Sequence, residues 1–324
     1  MIKRVLITGA DGFVGTRACQ DLNSAGFEVI AAIRGNCASE LKGVSCVIKI
    51  GELSSTTDWS KALYNIDAVV HLAAHVHQMK NKNLDSINEY RRVNVQATEC
   101  LLKAAQEAKV KRFVYVSSIK VLGEGENTPY TDNTKVYEHK LGDPYSISKW
   151  EAEQLFHKLD NSKMDWVILR PPLVYGPGVK ANFYKLMSAV NRGIPLPFGG
   201  VKNKRSLLFV GNLTNAMCAA LNYSHEIANT FLVSDVEDLS TAQLINKIAE
   251  ALDRPVRLVS VPPSFLSFVG KLTGRTDTIQ RLVGNYTCDI SGIREKLGWE
   301  PPYSVTQGMR EAALAFKHQA NGRL

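Results

Sequence analysis

Short apolar runs alternate with longer stretches of helical spacing through the first half of the chain. KRVLIT (3–8), VIAAI (29–33), DAVVHLA (67–73), RFVYVSS (112–118) and DWVILRPP (165–172) carry the apolar runs. Their apolar positions follow one another instead of alternating, which suits strands covered on both faces. Helical patterns fill the gaps, one ending near Ser24 and one covering roughly 85–108. Strands alternating with helices predict a parallel sheet with helices on both sides. From about Leu173 the texture changes. GPGVKANF, RGIPLPFGGVKNKRS and VSVPPSF are rich in Gly, Pro and basic residues and read as ligand-facing loops between shorter elements. LLFVGNLTNAMCAALNY (207–223) reads as a strand and helix returning to the main body. The expected organisation is a large domain, residues 1–172 plus about 207–234, and a smaller discontinuous one, residues 173–206 plus about 235–324. No internal repeat or low-complexity tract is visible.

Composition narrows the class. The chain has 324 residues, 45% hydrophobic and 22% charged, which excludes a disordered chain or a fibre. No apolar run reaches the ~20 residues of a membrane span. MIKRVLITG passes from basic residues straight into a strand, without the apolar core of a signal peptide, so a cytoplasmic location is expected. Cysteines at 19, 37, 46, 100, 218 and 288 form no CxxC pair, so reduced thiols and no metal site are expected. Lys plus Arg minus Asp plus Glu is 39 − 31 = +8. The cations are scattered and no aromatic ladder accompanies them, which argues for an anionic small ligand or a solvated surface and against nucleic acid. FLSFVGKL (265–272) joins apolar residues to a lysine. Docking inside the smaller domain is its expected use, with membrane association as the alternative.

TGADGFVG (8–15) places Gly9, Gly12 and Gly15 between a strand and a helix, with Phe13 and Val14 opening the helix. Small residues let the backbone approach a pyrophosphate, and the helix N-terminus offers oriented N–H groups. A glycine-rich turn alone is common; the strand–turn–helix context points to a dinucleotide. At the end of the second strand an acidic residue would accept from the adenosine ribose, whereas an arginine would pair with a 2′-phosphate. Ile33 and Arg34 stand there. This favours NADP over NAD, although a lone surface arginine is also ordinary. GEL (51–53) brings Glu52, with Leu53, near the adenine ring.

GDPYSISKWEAEQLF (142–156) begins with an N-capping Asp143 and a proline at the first helical position. Tyr145 and Lys149 then fall four apart on one helix face. Ser117 and Ser118 end the strand RFVYV at the sheet edge where open α/β folds bind ligands. A free tyrosine has a pKa of about 10, too high for a base at neutral pH. A neighbouring ammonium and an oxidised nicotinamide both favour the phenolate. A serine hydroxyl can hold the same substrate oxygen. Such an apparatus moves a hydride between a carbinol and a nicotinamide.

GADGFVG, HLAA (71–74), the Ser118 strand and YSISK together resemble an extended short-chain dehydrogenase/reductase of the nucleotide-sugar epimerase/dehydratase group, over essentially the whole chain. The resemblance implies a Rossmann-type doubly wound parallel sheet with a smaller, discontinuous C-terminal substrate domain. It also implies a homodimer through helices 85–108 and 145–158. By similarity Ser118, Tyr145 and Lys149 are catalytic, and Asn94 in RRVNVQAT steadies the neighbouring strand. Leu72, Ala73, Ala74 and Ser117 lie beside the cofactor, and Pro172 and Val174 in LRPPLVYGPG contact the nicotinamide amide. For a UDP-sugar the matching positions are Asn182, Phe183, Leu196, Phe198 and Arg205, with Arg281 as a second, weaker phosphate candidate. AHVHQMK (74–80) follows a cofactor-lining strand and is expected to read the sugar, its His77 being either a sugar contact or, the commoner case for a lone histidine, a structural one.

LRPPLVYGPGVKANF and NKRSLLFVGNL look most like bacterial enzymes that reduce UDP-4-keto-6-deoxy-N-acetylglucosamine to UDP-N-acetylquinovosamine for surface polysaccharide. A 4-epimerase that retains NAD is the alternative, as is an NADP-binding sensor without turnover. A dehydratase is disfavoured, because Ile119 and Lys120 stand where that group places an acid pair.

Overall fold

In the computed structural model, residues 1–35, 41–76, 85–125, 128–160, 162–272, 274 and 276–321 are described. Strands β1 (Arg4–Thr8), β2 (Glu28–Ile33), β3 (Cys46–Lys49), β4 (Ala68–His71), β5 (Arg112–Val116), β6 (Asp165–Arg170), β7 (Leu173–Tyr175), β8 (Leu207–Phe209) and β9 (Ala228–Leu232) form from the five apolar runs and four short additions. The sheet order is β3-β2-β1-β4-β5-β6-β9, every pair parallel, with β7 and β8 as a separate parallel pair. The direction of winding reverses between β1 and β4, which opens a crevice at their C-terminal ends.

The helices are α1 (Phe13–Ser24), α2 (Asp85–Tyr90), α3 (Ala97–Glu107), α4 (Pro144–Phe156), α5 (Ala181–Asn191), α6 (Val210–Asn222), α7 (Thr241–Leu252), α8 (Pro263–Leu272), α9 (Thr276–Val283), α10 (Ser291–Leu297) and α11 (Val305–Asn321). A π-helical turn, Arg91–Gln96, joins α2 to α3. Alternate strand residues serve opposite faces. Val5, Ile7, Val29 and Ala31 pack with Ala18 and Leu22 of α1 and Leu213 and Met217 of α6. Leu6, Ile30 and Val69 pack with Leu101 of α3 and Phe156 of α4. A third cluster, including Tyr175, Phe209, Ile245 and Met309, fills the space between the β7–β8 pair and helices α5, α7 and α11.

Several details depart from the sequence reading. β3 is a largely exposed edge strand, and β9 reads ANTFL; neither has a long apolar run. The strand of 207–223 joins β7 and not the main sheet, while its helix, α6, does pack on α1. Ile290, Ile293 and Trp299 pack into the first cluster. Helix α8 buries Leu266, but Phe265, Phe268 and Leu272 are 56%, 57% and 71% exposed. Among the described side chains of 265–272, Leu266 docks in the third cluster as expected, whereas Phe265, Phe268 and Leu272 stay exposed on one helix face.

Asp67 clamps the N-terminal edge of the sheet. Its carboxylate accepts from the backbone N–H groups of Lys3 (2.9 Å) and Arg4 (3.0 Å) and from Lys111 Nζ (2.6 Å). Burial alone would raise its pKa; the hydrogen bonds from Lys111, Arg4 and Lys3 outweigh this and hold it at about 2. The carboxylate's contribution is therefore present above the ordinary carboxylate pKa and is lost as pH falls through about 2. Asp67→Asn should lower unfolding free energy by about 1–2 kcal/mol at pH 7, with the difference shrinking below about pH 4, as read by urea titrations at both pH values.

Candidate active site

The glycine turn is as tight as a backbone permits. Gly9 has φ +66°, and a Cβ there would come within 2.8 Å of Ala73 N. A Cβ on Gly15 would overlap the Gly9 carbonyl. Helix α1 starts at Gly12 with no side-chain cap, so the first-turn N–H groups of Phe13, Val14 and Gly15 face the turn without a side-chain acceptor. This cradle fits the pyrophosphate of a dinucleotide.

A buried polar string runs from the cradle to Tyr145. Thr8 Oγ1 accepts from Leu72 N (3.2 Å) and Ala73 N (3.3 Å) and lies 2.7 Å from His71 Nδ1. His71 Nε2 lies 3.0 Å from Thr98 Oγ1, whose own proton goes to Asn94 O at 2.8 Å. Thr98 must therefore accept from His71 Nε2–H, and Thr8 must donate to Nδ1. This assignment needs a neutral imidazole, and burial, helped by the charge of Lys149, pushes the His71 pKa down to about 3. Asn94 continues the string from the π-helical turn. Its Oδ1 accepts from His75 N (2.7 Å), and its Nδ2 donates to His75 O (3.1 Å) and Ser148 Oγ (3.0 Å). Ser148 donates to Tyr145 O at 2.9 Å.

Helix α4 starts as its sequence predicts. Asp143 Oδ1 accepts from Ser146 N at 2.9 Å, and Pro144 takes the first position. Lys149 is 2% exposed; its Nζ donates to Val116 O at 2.8 Å and stands 4.5 Å from the Tyr115 ring centre. Burial pushes its pKa down to about 7, against the pull of Glu153. Burial also raises Tyr145, with the charge of Asp143 and the nearness of Tyr90 adding to it and a hydrogen bond to Ser118 opposing it. Tyr145 is thus held protonated. Ser117 and Tyr115 are buried, and neither the Ser117 Oγ nor the Tyr115 hydroxyl has a hydrogen-bond partner among the described residues.

Ser118 accepts from Lys120 N at 3.3 Å and caps the short turn Ile119–Leu122. Lys120 Nζ pairs with Asp143 Oδ2 at 2.8 Å and lies 5.8 Å from the Tyr145 ring centre. Beyond this pair a cavity of about 590 Å³ is lined by Glu124, Arg205, Asn285 and Tyr286, among others. That volume suits a small-molecule site. Arg205 Nη1 donates to Gly284 O (3.1 Å), and its guanidinium covers the Tyr286 ring at 5.4 Å.

The other anticipated positions are scattered. Arg34 and Glu52 face each other at 4.0 Å, 67% and 71% exposed. Leu53 is buried in the second cluster, and its carbonyl accepts from Arg92 Nη1. Pro172 is buried, and Val174 packs against the first and third clusters. Asn182 is exposed at the start of α5. Phe183 lies in the third cluster, stacked on Tyr175 at 5.5 Å, and Phe198 lies there too, so both side chains are core pieces. Leu196 exchanges backbone hydrogen bonds with Arg257 and Val259. Arg281 belongs to α9, its side chain lying outside the described residues, and His77 lies outside them altogether. Sequence reasoning missed Glu124, Asn285 and Tyr286; they reach the cavity through tertiary pairing that leaves no local motif.

Residues 5–233 match the NAD dependent epimerase/dehydratase family. The chain belongs to that family. It is 40% identical to a UDP-glucose 4-epimerase of Vibrio cholerae over 327 aligned residues, covering 100% of this chain and 98% of the relative. It is 25% identical to the N-acetyl-alpha-D-glucosaminyl-diphospho-ditrans,octacis-undecaprenol 4-epimerase of Escherichia coli O157:H7, with 98% and 97% covered. The UDP-glucuronic acid 4-epimerase of Bacillus cereus, solved with NAD, shares the fold at TM-score 0.77 and 22% identity, covering 98% of this chain and 99% of the other. The seven-stranded sheet and its flanking helices are thus those of the epimerase family.

In an enzyme of this family Tyr145→Phe should lower kcat by about 10²–10⁴-fold while cofactor affinity stays within about twofold, read by steady-state kinetics beside cofactor titration. Lys120→Met leaves the Asp143 charge uncompensated. It should move the basic limb of the rate profile to higher pH, and adding Asp143→Asn should move it back.

Proposed function

We propose that this enzyme transfers a hydride at C4 of a UDP-sugar, and that its net reaction is reduction of UDP-4-keto-6-deoxy-N-acetylglucosamine to UDP-N-acetylquinovosamine. The carrying observation is Tyr145, held protonated by burial, hydrogen-bonded to Ser118 and one helical turn before the buried Lys149, on the helix whose Asp143 and Ser146 line a ligand-sized cavity. A bound nicotinamide cofactor supplies or accepts the hydride. Ser118 holds the sugar oxygen, and Tyr145 delivers its proton to that oxygen as the carbonyl becomes an alkoxide. A tyrosine kept protonated by burial is ready for the acid role that reduction needs. Lys149 holds the nicotinamide ribose, and with a pKa near 7 it can carry the proton that replenishes Tyr145. Arg205 faces the diphosphate, where a guanidinium fork pairs two phosphates. Residues 173–206 and 235–324 form the sugar-binding part, and the active unit is a cytoplasmic homodimer.

Arg34 supports a cofactor that exchanges between turnovers, with NADPH preferred, because no acid follows β2 directly. The Vibrio cholerae relative supports a second reading, a UDP-glucose 4-epimerase that retains NAD. The two readings differ in stoichiometry. Mixing the enzyme with UDP-4-keto-6-deoxy-N-acetylglucosamine should consume one NADPH per sugar, faster than NADH. Interconversion of UDP-glucose and UDP-galactose without added cofactor, and no consumption of either dinucleotide, would establish the epimerase.

A further inference from the structure

Large exposed apolar side chains recur along one stretch of the chain. Val256, Val259, Phe265, Phe268 and Leu272 are 42–71% exposed and fall within one stretch of the chain. Leu196 exchanges backbone hydrogen bonds with Arg257 and Val259, which brings the exposed Ile194 alongside the same stretch. On α8, Phe265, Phe268 and Leu272 stand at i, i+3 and i+7, one apolar helix face, while Leu266 on another side is buried. Exposure of two phenylalanines on one helix face is costly in water and marks a contact surface.

The charge around this face selects its partner. Between residues 254 and 276 the sequence carries Arg254, Arg257, Lys271 and Arg275 and no aspartate or glutamate. Arg254, Arg257 and Lys271 are exposed, and Lys271 borders the apolar face in the last turn of α8. A lysine there can extend its ammonium toward headgroups while its methylenes stay among apolar groups. Phenylalanines and leucine on one side with cations at the rim are the pattern of a helix lying in a bilayer interface.

We propose that α8 and the adjoining segment 254–262 dock this enzyme on an anionic lipid surface, the Phe265–Phe268–Leu272 face entering the headgroup boundary. Helix α9 packs on α8 and supplies Gln280 and Val283 to the cavity wall, so docking sets the substrate cavity beside the headgroup layer. The contact is peripheral, since among the described residues no helix is long and apolar enough to cross a membrane.

The test is co-sedimentation of the full-length protein with vesicles, alongside light scattering without lipid. Wild type should sediment with phosphatidylglycerol vesicles and not with phosphatidylcholine vesicles, and raised salt should release it. Phe265→Ser with Phe268→Ser should cut the bound fraction at least about tenfold. Arg254→Gln with Arg257→Gln should weaken binding to the phosphatidylglycerol vesicles. Unchanged thermal unfolding of both variants shows that they fold, and binding is read without turnover, so a wrong substrate assignment leaves the result standing. No sedimentation of wild type, or equal sedimentation of the phenylalanine variant, overturns the proposal. So does a wild-type oligomer that the phenylalanine variant dissolves in the absence of vesicle binding, which would assign the face to a second copy.

Discussion

A single neutral histidine ties the glycine-rich turn to helix α4. His71 sits at the end of β4 with a threonine on each ring nitrogen, and its protons can be arranged in one way only. Thr8 beneath it fixes the backbone of Leu72 and Ala73 against the glycine turn. Thr98 beyond it fixes the carbonyl of Asn94. Each bond contributes about 1 kcal/mol net, but a buried donor left unpaired costs about 1–3 kcal/mol. Losing one member therefore orphans its neighbours, and the string holds or fails as a unit. The π-helical turn follows from this demand, since an extra residue in the turn re-aims a side chain that a regular helix would place elsewhere. Here it lets Asn94 bridge the backbone of His75 and the hydroxyl of Ser148.

Around Tyr145 and Lys149 burial works in opposite directions, raising the phenol and lowering the ammonium. Glu153 lies one helical turn beyond Lys149 and would strengthen its charge alone. Arg170 of β6 grips that carboxylate with two hydrogen bonds, 3.0 and 2.6 Å. Burial outweighs the pull of Glu153, and the Lys149 ammonium is pushed down to about 7. Asp143 serves two purposes that conflict. As the helix cap it is needed at the start of α4, yet its charge opposes ionisation of Tyr145. Lys120 reconciles them by pairing with the oxygen that does not cap.

This explains what the sequence could and could not disclose. GADGFVG and DPYSISK are legible because their function depends on spacing within one turn or helix, and the structure reproduces the cap at Asp143 and the tight approach at Gly9. The central strands are legible because both faces are covered. β3 is exposed on an edge and β9 contains Asn and Thr, so neither offers a continuous apolar signal. Lys120 stood out only as a departure from a dehydratase pattern, and its partner Asp143 lies 23 positions away. Phe183 and Phe198 could not be sorted from cavity residues by sequence, because a core aromatic and a stacking aromatic look alike until their neighbours are known.

The cavity wall owes its shape to backbone pairing more than to side chains. Tyr286 N donates to Lys204 O and Ser206 N donates to Tyr286 O, while Tyr130 N and Asp289 N exchange bonds with Thr287 and Tyr130. The Tyr286 hydroxyl reaches back to Gly123 O at 2.9 Å, next to the turn that carries Lys120. The segment bearing Arg205 and Tyr286 is therefore stitched to the loop after β5, which also supplies Ser118. Ile290 and Ile293, a few residues on, are rooted in the main core. A sugar held by the C-terminal residues would be located relative to Ser118 and Tyr145 through these short covalent and hydrogen-bonded paths. Rigid location of this kind matters for hydride transfer, where an error of about 1 Å can cost about 10²-fold in rate. Under the proposed function, discrimination among sugars would fall to the side chains lining the stitched wall, Lys120, Glu124 and Asn285 among them.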